Sequence, residues 1–160
     1  MTPILCAQSV ADMLQKEFEG YVSTEPKTAN NGITICTGFL AKTRTAAEKQ
    51  TRCPRIVIRP VKVTNSEDSK STVELQILTV TYCEDMDEGH MELYNLMERV
   101  RQAVLFNRIV ADMNLLQLPV ESVVPEEQPW PCWWGWMNAS YDVPQTVNHQ
   151  ELIKYVDKYK

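Results

Sequence analysis

Glycine is scarce in this chain, five in 160 residues. Phosphate-cradling loops need several glycines close together, and neither G-x-x-x-x-G-K-[ST] nor G-x-G-x-x-G occurs. No G-x-S-x-G elbow is present to expose a nucleophilic serine. Histidine is scarcer still, with only His90 and His149, in different segments. Without H-x-x-x-H, C-x-x-C or a Cys/His pair at ligand spacing, a zinc centre is not expected. An enzyme needs convergent titratable groups. None can be picked out, so the chain is expected to be no enzyme and to carry no cofactor. Long apolar runs are missing too. Nothing approaches the ~20 residues of a membrane-spanning helix. The start, "MTPILCAQSVADML", lacks a basic region and has Asp12 early, so it does not read as a secretory signal.

Positive charge is in deficit. Sixteen Lys and Arg face 21 Asp and Glu, giving a net charge of −5 and a pI near 5.1. Broad nucleic-acid binding needs a basic face and is disfavoured. One stretch runs against this trend: "KTRTAAEKQTR", Lys42–Arg52, sets Lys42, Arg44, Lys49 and Arg52 against Glu48, a net of +3. It has no apolar face of its own. It reads either as a solvated hairpin tip or as a mobile arm that orders on a partner. The five cysteines (Cys6, Cys36, Cys53, Cys83 and Cys132) are odd in number and scattered. They read as reduced thiols acting as small buried hydrophobes in a cytosol.

Composition is otherwise that of a globular domain, 44% hydrophobic and 23% charged. Periodicity predicts a first helix over about Pro3–Phe18, with Leu5, Val10, Met13, Leu14 and Phe18 on one side and Gly20 at its end. "ITICTGFLA" alternates as a strand. "PRIVIRPVKV" is a second strand, with Pro60 marking an edge or a bulge. "TVELQILTVTYCED" is a third. Its apolar phase flips after Ile77, which predicts a bulge there. These two strands and the polar loop between them form a hairpin. Gly89–Phe106 carries a stripe of Leu93, Leu96, Met97, Val100, Val104 and Leu105, a core-facing helix. The carboxylates of "CEDMDEGH" load its N-terminus, where the helix dipole favours them. Arg108–Gln128 reads as semi-extended, with a short strand on each side of Asn114. His149–Lys160 reads as a short terminal helix. The fold class expected is α+β: a mixed, mainly antiparallel sheet of four or more strands flanked by two or three helices, in a single domain.

All four tryptophans lie within seven residues, in "PWPCWWGWMNASYDVP". After Pro131 the chain alternates. Trp133, Gly135, Met137, Ala139, Tyr141 and Val143 fall on one side, and Trp134, Trp136, Asn138, Ser140 and Asp142 on the other. The first set predicts a core face. The second opens with two indoles and turns polar. Either a helix covers Trp134 and Trp136, or they belong to a contact surface. The residues expected at a subunit or partner interface are therefore Trp130, Trp134 and Trp136, with Lys42, Arg44, Lys49 and Arg52.

The order of these segments resembles the tail terminator (tail completion) proteins of long-tailed bacteriophages and related contractile particles. The resemblance rests on "RCPRIVIRP", on the acidic "EDMDEG" turn that closes the third strand, and on the helix "LYNLMERVRQAVL". A final strand, E-x-x-P-x-P-x-W-x-G-x-M ending in "VP", completes it. It spans roughly residues 50–145. The chain departs from the pattern at Cys132 and at the doubled Trp133–Trp134. One domain is expected over residues 1–145, with a mobile basic arm at about 42–52; residues 146–160 match nothing in the pattern and are expected to be a C-terminal extension, a short helix. The resemblance implies a homo-oligomer, a hexameric ring at the head-proximal end of the tail tube, assembled in the host cytoplasm and located in the virion. The implied partners are the tail tube protein and the head-side connector. Genomic DNA would pass the lumen without specific binding, and no membrane is involved. Another connector or neck subunit, or a cytosolic adaptor, is the alternative.

Overall fold

Pro3 opens helix α1 (Pro3–Glu17), and the Thr2 hydroxyl caps it by accepting from the Leu5 N–H at 3.4 Å. Cys6, Ala7, Val10, Ala11 and Leu14 form its buried stripe, and Gly20 takes φ +76° just past its end. The computed structural model describes residues 2–21, 32–40, 42, 45, 48, 53–67, 70–146, 153 and 156–158. After α1 come strands β1 (Thr34–Thr37), β2 (Arg55–Asn65) and β3 (Lys70–Tyr82). Helix α2 (Gly89–Phe106) follows, then β4 (Ile109–Val110), β5 (Asn114–Val123) and β6 (Cys132–Pro144).

The chain is α+β, with the six strands in one mixed sheet ordered β1-β2-β3-β6-β5-β4. β1 runs parallel to β2, and the other four neighbouring pairs are antiparallel. The helices share one core with one side of this sheet. Val10 and Leu14 from α1 join Leu96, Val100 and Val104 from α2 over Ile56, Ile58, Leu75, Ile77, Met137 and Tyr141. Burying such side chains is worth ~1.5–3 kcal/mol each, so this layer is the main source of stability. No helix of the described residues is long and apolar enough to cross a membrane.

The bulge expected near Ile77 is not there. β3 pairs with β6 without interruption over 13 positions, from Lys70–Pro144 to Tyr82–Cys132. The phase of β3 changes because both of its faces are covered at this end. Ile77 faces the helices, while Leu78, Val80 and Tyr82 enter a second cluster with Cys53 and Val57. The irregularity lies in β2, between Pro60 and Lys62. β1 stops at the Thr37–Ile58 pair, so Pro60 sits where β2 has become an edge and no neighbour needs its missing N–H. The segment after α2 holds β4, a three-residue turn and a ten-residue β5, rather than two short strands.

On the helix side of β6, Met137, Ala139, Tyr141 and Val143 are all buried. The Tyr141 hydroxyl is buried with no hydrogen-bond partner among the described residues, and burial pushes its phenol well above the ordinary range. An unsatisfied buried hydroxyl carries a desolvation cost that phenylalanine avoids. Tyr141→Phe should therefore be neutral or stabilising in urea denaturation. Met137→Ala, by contrast, should cost ~2–5 kcal/mol through the cavity it opens. A clearly destabilised Tyr141→Phe protein would mean that the hydroxyl has a partner.

Candidate functional site

Three stretches far apart in sequence meet at one end of the sheet: the entry to β2 at Cys53, the loop from β3 into α2, and the tryptophan segment. The Cys83 N–H donates to the Pro131 carbonyl at 3.0 Å. The indole Nε1 of Trp133 donates to the Cys83 carbonyl at 3.0 Å, and that of Trp130 to the Glu84 carbonyl at 3.3 Å. Trp133 lies directly on Gly89, where an added Cβ would stand 2.6 Å from the indole nitrogen. The first residue of α2 must therefore be glycine for this contact to form. Asp85 shapes the loop before it, its Oδ1 accepting from the Asp87 N–H at 2.8 Å and the Glu88 N–H at 3.2 Å.

Gln128 ties the tryptophan segment to itself. Its Oε1 accepts from the Trp134 N–H at 2.7 Å, and its Nε2 donates to the carbonyls of Trp134 at 3.0 Å and Pro125 at 2.7 Å. β5 pairs with β6 only as far as Val123–Trp136. The Gln128 amide continues that ladder by one rung with a side chain in place of a strand, which satisfies backbone groups that would otherwise be orphaned.

Trp134 and Trp136 point to the face away from the helices. Both are half-buried, with ring centroids 5.4 Å apart and planes tilted by 43°. They pack against the second cluster, together with Cys36, Leu40 and Cys132. These two indoles are thus partners of each other and the cover of a small apolar layer, with part of each ring facing outward. Trp130 is 52% exposed and sits apart from them, anchored to the α2 loop. Lys42 is exposed. Arg44, Lys49 and Arg52 lie outside the described residues, as does most of the expected helix over His149–Lys160.

All five cysteines are free thiols. Burial pushes the Cys6 thiol up to about 11. A hydrogen bond with Cys132, together with burial, drives the Cys53 thiol up as well. Neither is poised as a nucleophile. Among the described residues no group of three or more His, Cys, Asp or Glu is placed to hold a metal ion.

A cavity of about 290 Å³ opens between the start of α2 and the β5–β6 connection, lined by Met86, His90, Tyr94, Glu126, Gln128 and Trp133 among others. The His90 ring stands 6.1 Å from Tyr94 and 6.4 Å from Trp133, so three rings share one wall. Sequence reading missed this cavity and the role of Gln128. The only available signal was the "E-x-x-P-x-P" turn, whose glutamine carries no chemistry that stands out.

No protein-family model matches the chain, and no curated protein matches it. Solved structures do align with it. One pairs with 86% of this chain and 97% of its own length at 12% identity and a TM-score of 0.44, a likeness that supports no argument about fold or function.

Removing the Gln128 amide leaves the polar groups of Trp134 without their partner, a loss of ~1–3 kcal/mol. Gln128→Ala should accelerate hydrogen exchange at the Trp134 amide while leaving exchange at Met137 and Tyr141 slow. Unchanged protection at Trp134 would show that the side-chain rung is dispensable.

Proposed function

We propose that this chain is a structural subunit that forms a ring at the head-proximal end of a phage tail tube, ends tube growth and offers the head a joining surface. The observation that carries this reading is the convergence just described. The segments that carry the resemblance to tail terminators, "RCPRIVIRP", "EDMDEG" and "EEQPWPCWWGW", are separated by up to about 80 residues in sequence, yet meet at one end of the sheet. A set of motifs that builds one surface suits a protein that works by contact. The role is non-catalytic and takes no cofactor. Residues 1–145 form the ring-building domain, its mainly antiparallel sheet flanked by helices, and 146–160 are an extension.

The ring is a hexamer in the virion. The tail tube lies below it and the head-side connector above, and DNA crosses the lumen. A net charge of −5 per subunit repels phosphate and lets DNA slide without sticking. Exposed apolar side chains are available for contact at two places: Met86, Tyr94 and Trp130 near the cavity, and Phe106, Ile109 and Met113 around β4.

Negative-stain microscopy and native mass measurement of the purified chain, alone and with tail tubes, test the assembly. Rings, or tubes capped at one end, are expected. A chain that remains monomeric under both conditions rules the reading out. Replacing both Trp134 and Trp136 with serine tests the surface. The main core lies on the other face of the sheet, so the subunit should stay folded and soluble. Each lost indole removes ~2 kcal/mol or more if it is a hot spot, and every copy in the ring suffers the loss. A phage with both changes should yield headless tails, some of them over-long. Normal particles, or an insoluble subunit, would show that the indoles serve the second cluster alone.

A further inference from the structure

We infer that the cavity beside Trp133 receives a cationic side chain from the Lys42–Arg52 segment of a second copy of this chain. This rests on the reading that copies associate, and it adds which surfaces meet. The wall formed by Trp133, His90 and Tyr94 offers flat apolar area to the aliphatic stem of a lysine or arginine. Its rings attract the cation at the stem's end. Glu126 stands in the same lining as the counter-charge. Tyr94 and Met86 are 51% and 71% exposed, a large apolar outlay for residues beside an acidic loop.

Charge selects the occupant. Asp87, Glu88, Glu126 and Glu127 are exposed, and among the described residues none of these carboxylates forms an ion pair. The most basic stretch of the sequence is Lys42–Arg52, with four cations against Glu48 and no apolar face to bury at home. Geometry selects the second copy. The residues that bracket the segment, Leu40 and Cys53, pack in the second cluster with Trp134 and Trp136. That cluster lies on the opposite face of β6 from Trp133, which turns toward α2 and the cavity. Leu40 and Cys53 thus lie on the far side of the sheet from the cavity. A neighbour placed head-to-tail presents its segment to the cavity, and such a heterologous contact closes into a ring when the rotation between neighbours closes.

Charge reversal tests this. One variant carries Glu126→Lys and Glu127→Lys. The other carries Lys42→Glu, Arg44→Glu, Lys49→Glu and Arg52→Glu. Circular dichroism melting checks that both fold, and sedimentation velocity reads association. Each variant alone sets like charges against each other and should associate about tenfold more weakly than the wild type. An equimolar mixture pairs lysine with glutamate at every contact and should restore the assembly. A mixture that stays dissociated overturns the inference, because docking within one copy or onto a foreign protein gains nothing from mixing. Variants that associate like the wild type overturn it too. If the wild type itself is monomeric, the ring reading fails, and a labelled peptide of residues 42–52 decides the docking alone. Saturable binding that is lost in the Glu126→Lys, Glu127→Lys protein upholds it, and no binding overturns it.

Discussion

The ladder between β3 and β6 holds the rest of the molecule in place. It is thirteen residues long and without a break. A single slip of register would move every side chain of both strands to the other face. Here a slip would expel Ile77, Met137 and Tyr141 from beneath the helices and bring Leu78, Trp134 and Trp136 toward them. The two faces therefore specify the same register independently, one through the main core and the other through the second cluster. At the far end of this ladder, the Tyr82–Cys132 pair fixes where β3 lets go and where β6 begins. The loop into α2 and the tryptophan segment leave from that point together, which is why their backbones meet at Cys83 and Pro131.

Where local pattern and tertiary environment agree, the sequence is legible. Helix α2 spans Gly89–Phe106 as its stripe predicts, and Pro3 starts α1. The alternation of β6 survives intact from Trp133 to Val143. Reading fails where a residue answers to distant partners. The phase flip at Ile77 looks like a bulge because an isolated strand cannot show that Cys53, Val57 and Trp136 cover its second face. β5 looks irregular because Pro119 and the shift between Gln117 and Glu121 interrupt a strand that nevertheless continues to Val123. The cavity is built from two segments some 40 residues apart. Its rings are shared with a helix stripe and a strand, so no single window announces it.

The open face of the sheet divides into two chemistries. At one end Trp134 and Trp136 close over apolar side chains. Toward the other end the side chains satisfy one another. Lys62 pairs with Glu74 at 3.1 Å, and the Arg59 Nε donates to the Gln76 Oε1 at 2.9 Å. Asp142 accepts from the Thr72 hydroxyl at 3.2 Å and the Gln117 amide at 2.9 Å. Exposed pairs of this kind add little stability. Their effect is to leave few unanswered polar groups, so this half offers a partner no strong reason to displace water.

The sheet edges are equally uninviting. β1 has four residues and β4 two, too short to template a neighbouring strand. The longer free stretch of β2 beyond Ile58 contains Pro60, a register shift and Lys62, three features that discourage strand addition. The outer side of β5 beyond Leu116 is likewise interrupted, by Pro119 and a register shift, so the association proposed for this subunit falls mainly to side chains. Exposed apolar side chains lie along the free stretches of β2 and β5, such as Val61 and Leu118, and off the edges, at the Met86–Tyr94–Trp130 corner and at Phe106 after α2. Such contacts set a defined angle between neighbours through shape and charge, whereas edge pairing tolerates slippage and open-ended growth. A protein proposed to end the growth of a polymer gains directly from that difference: its own assembly must close into a ring and stop.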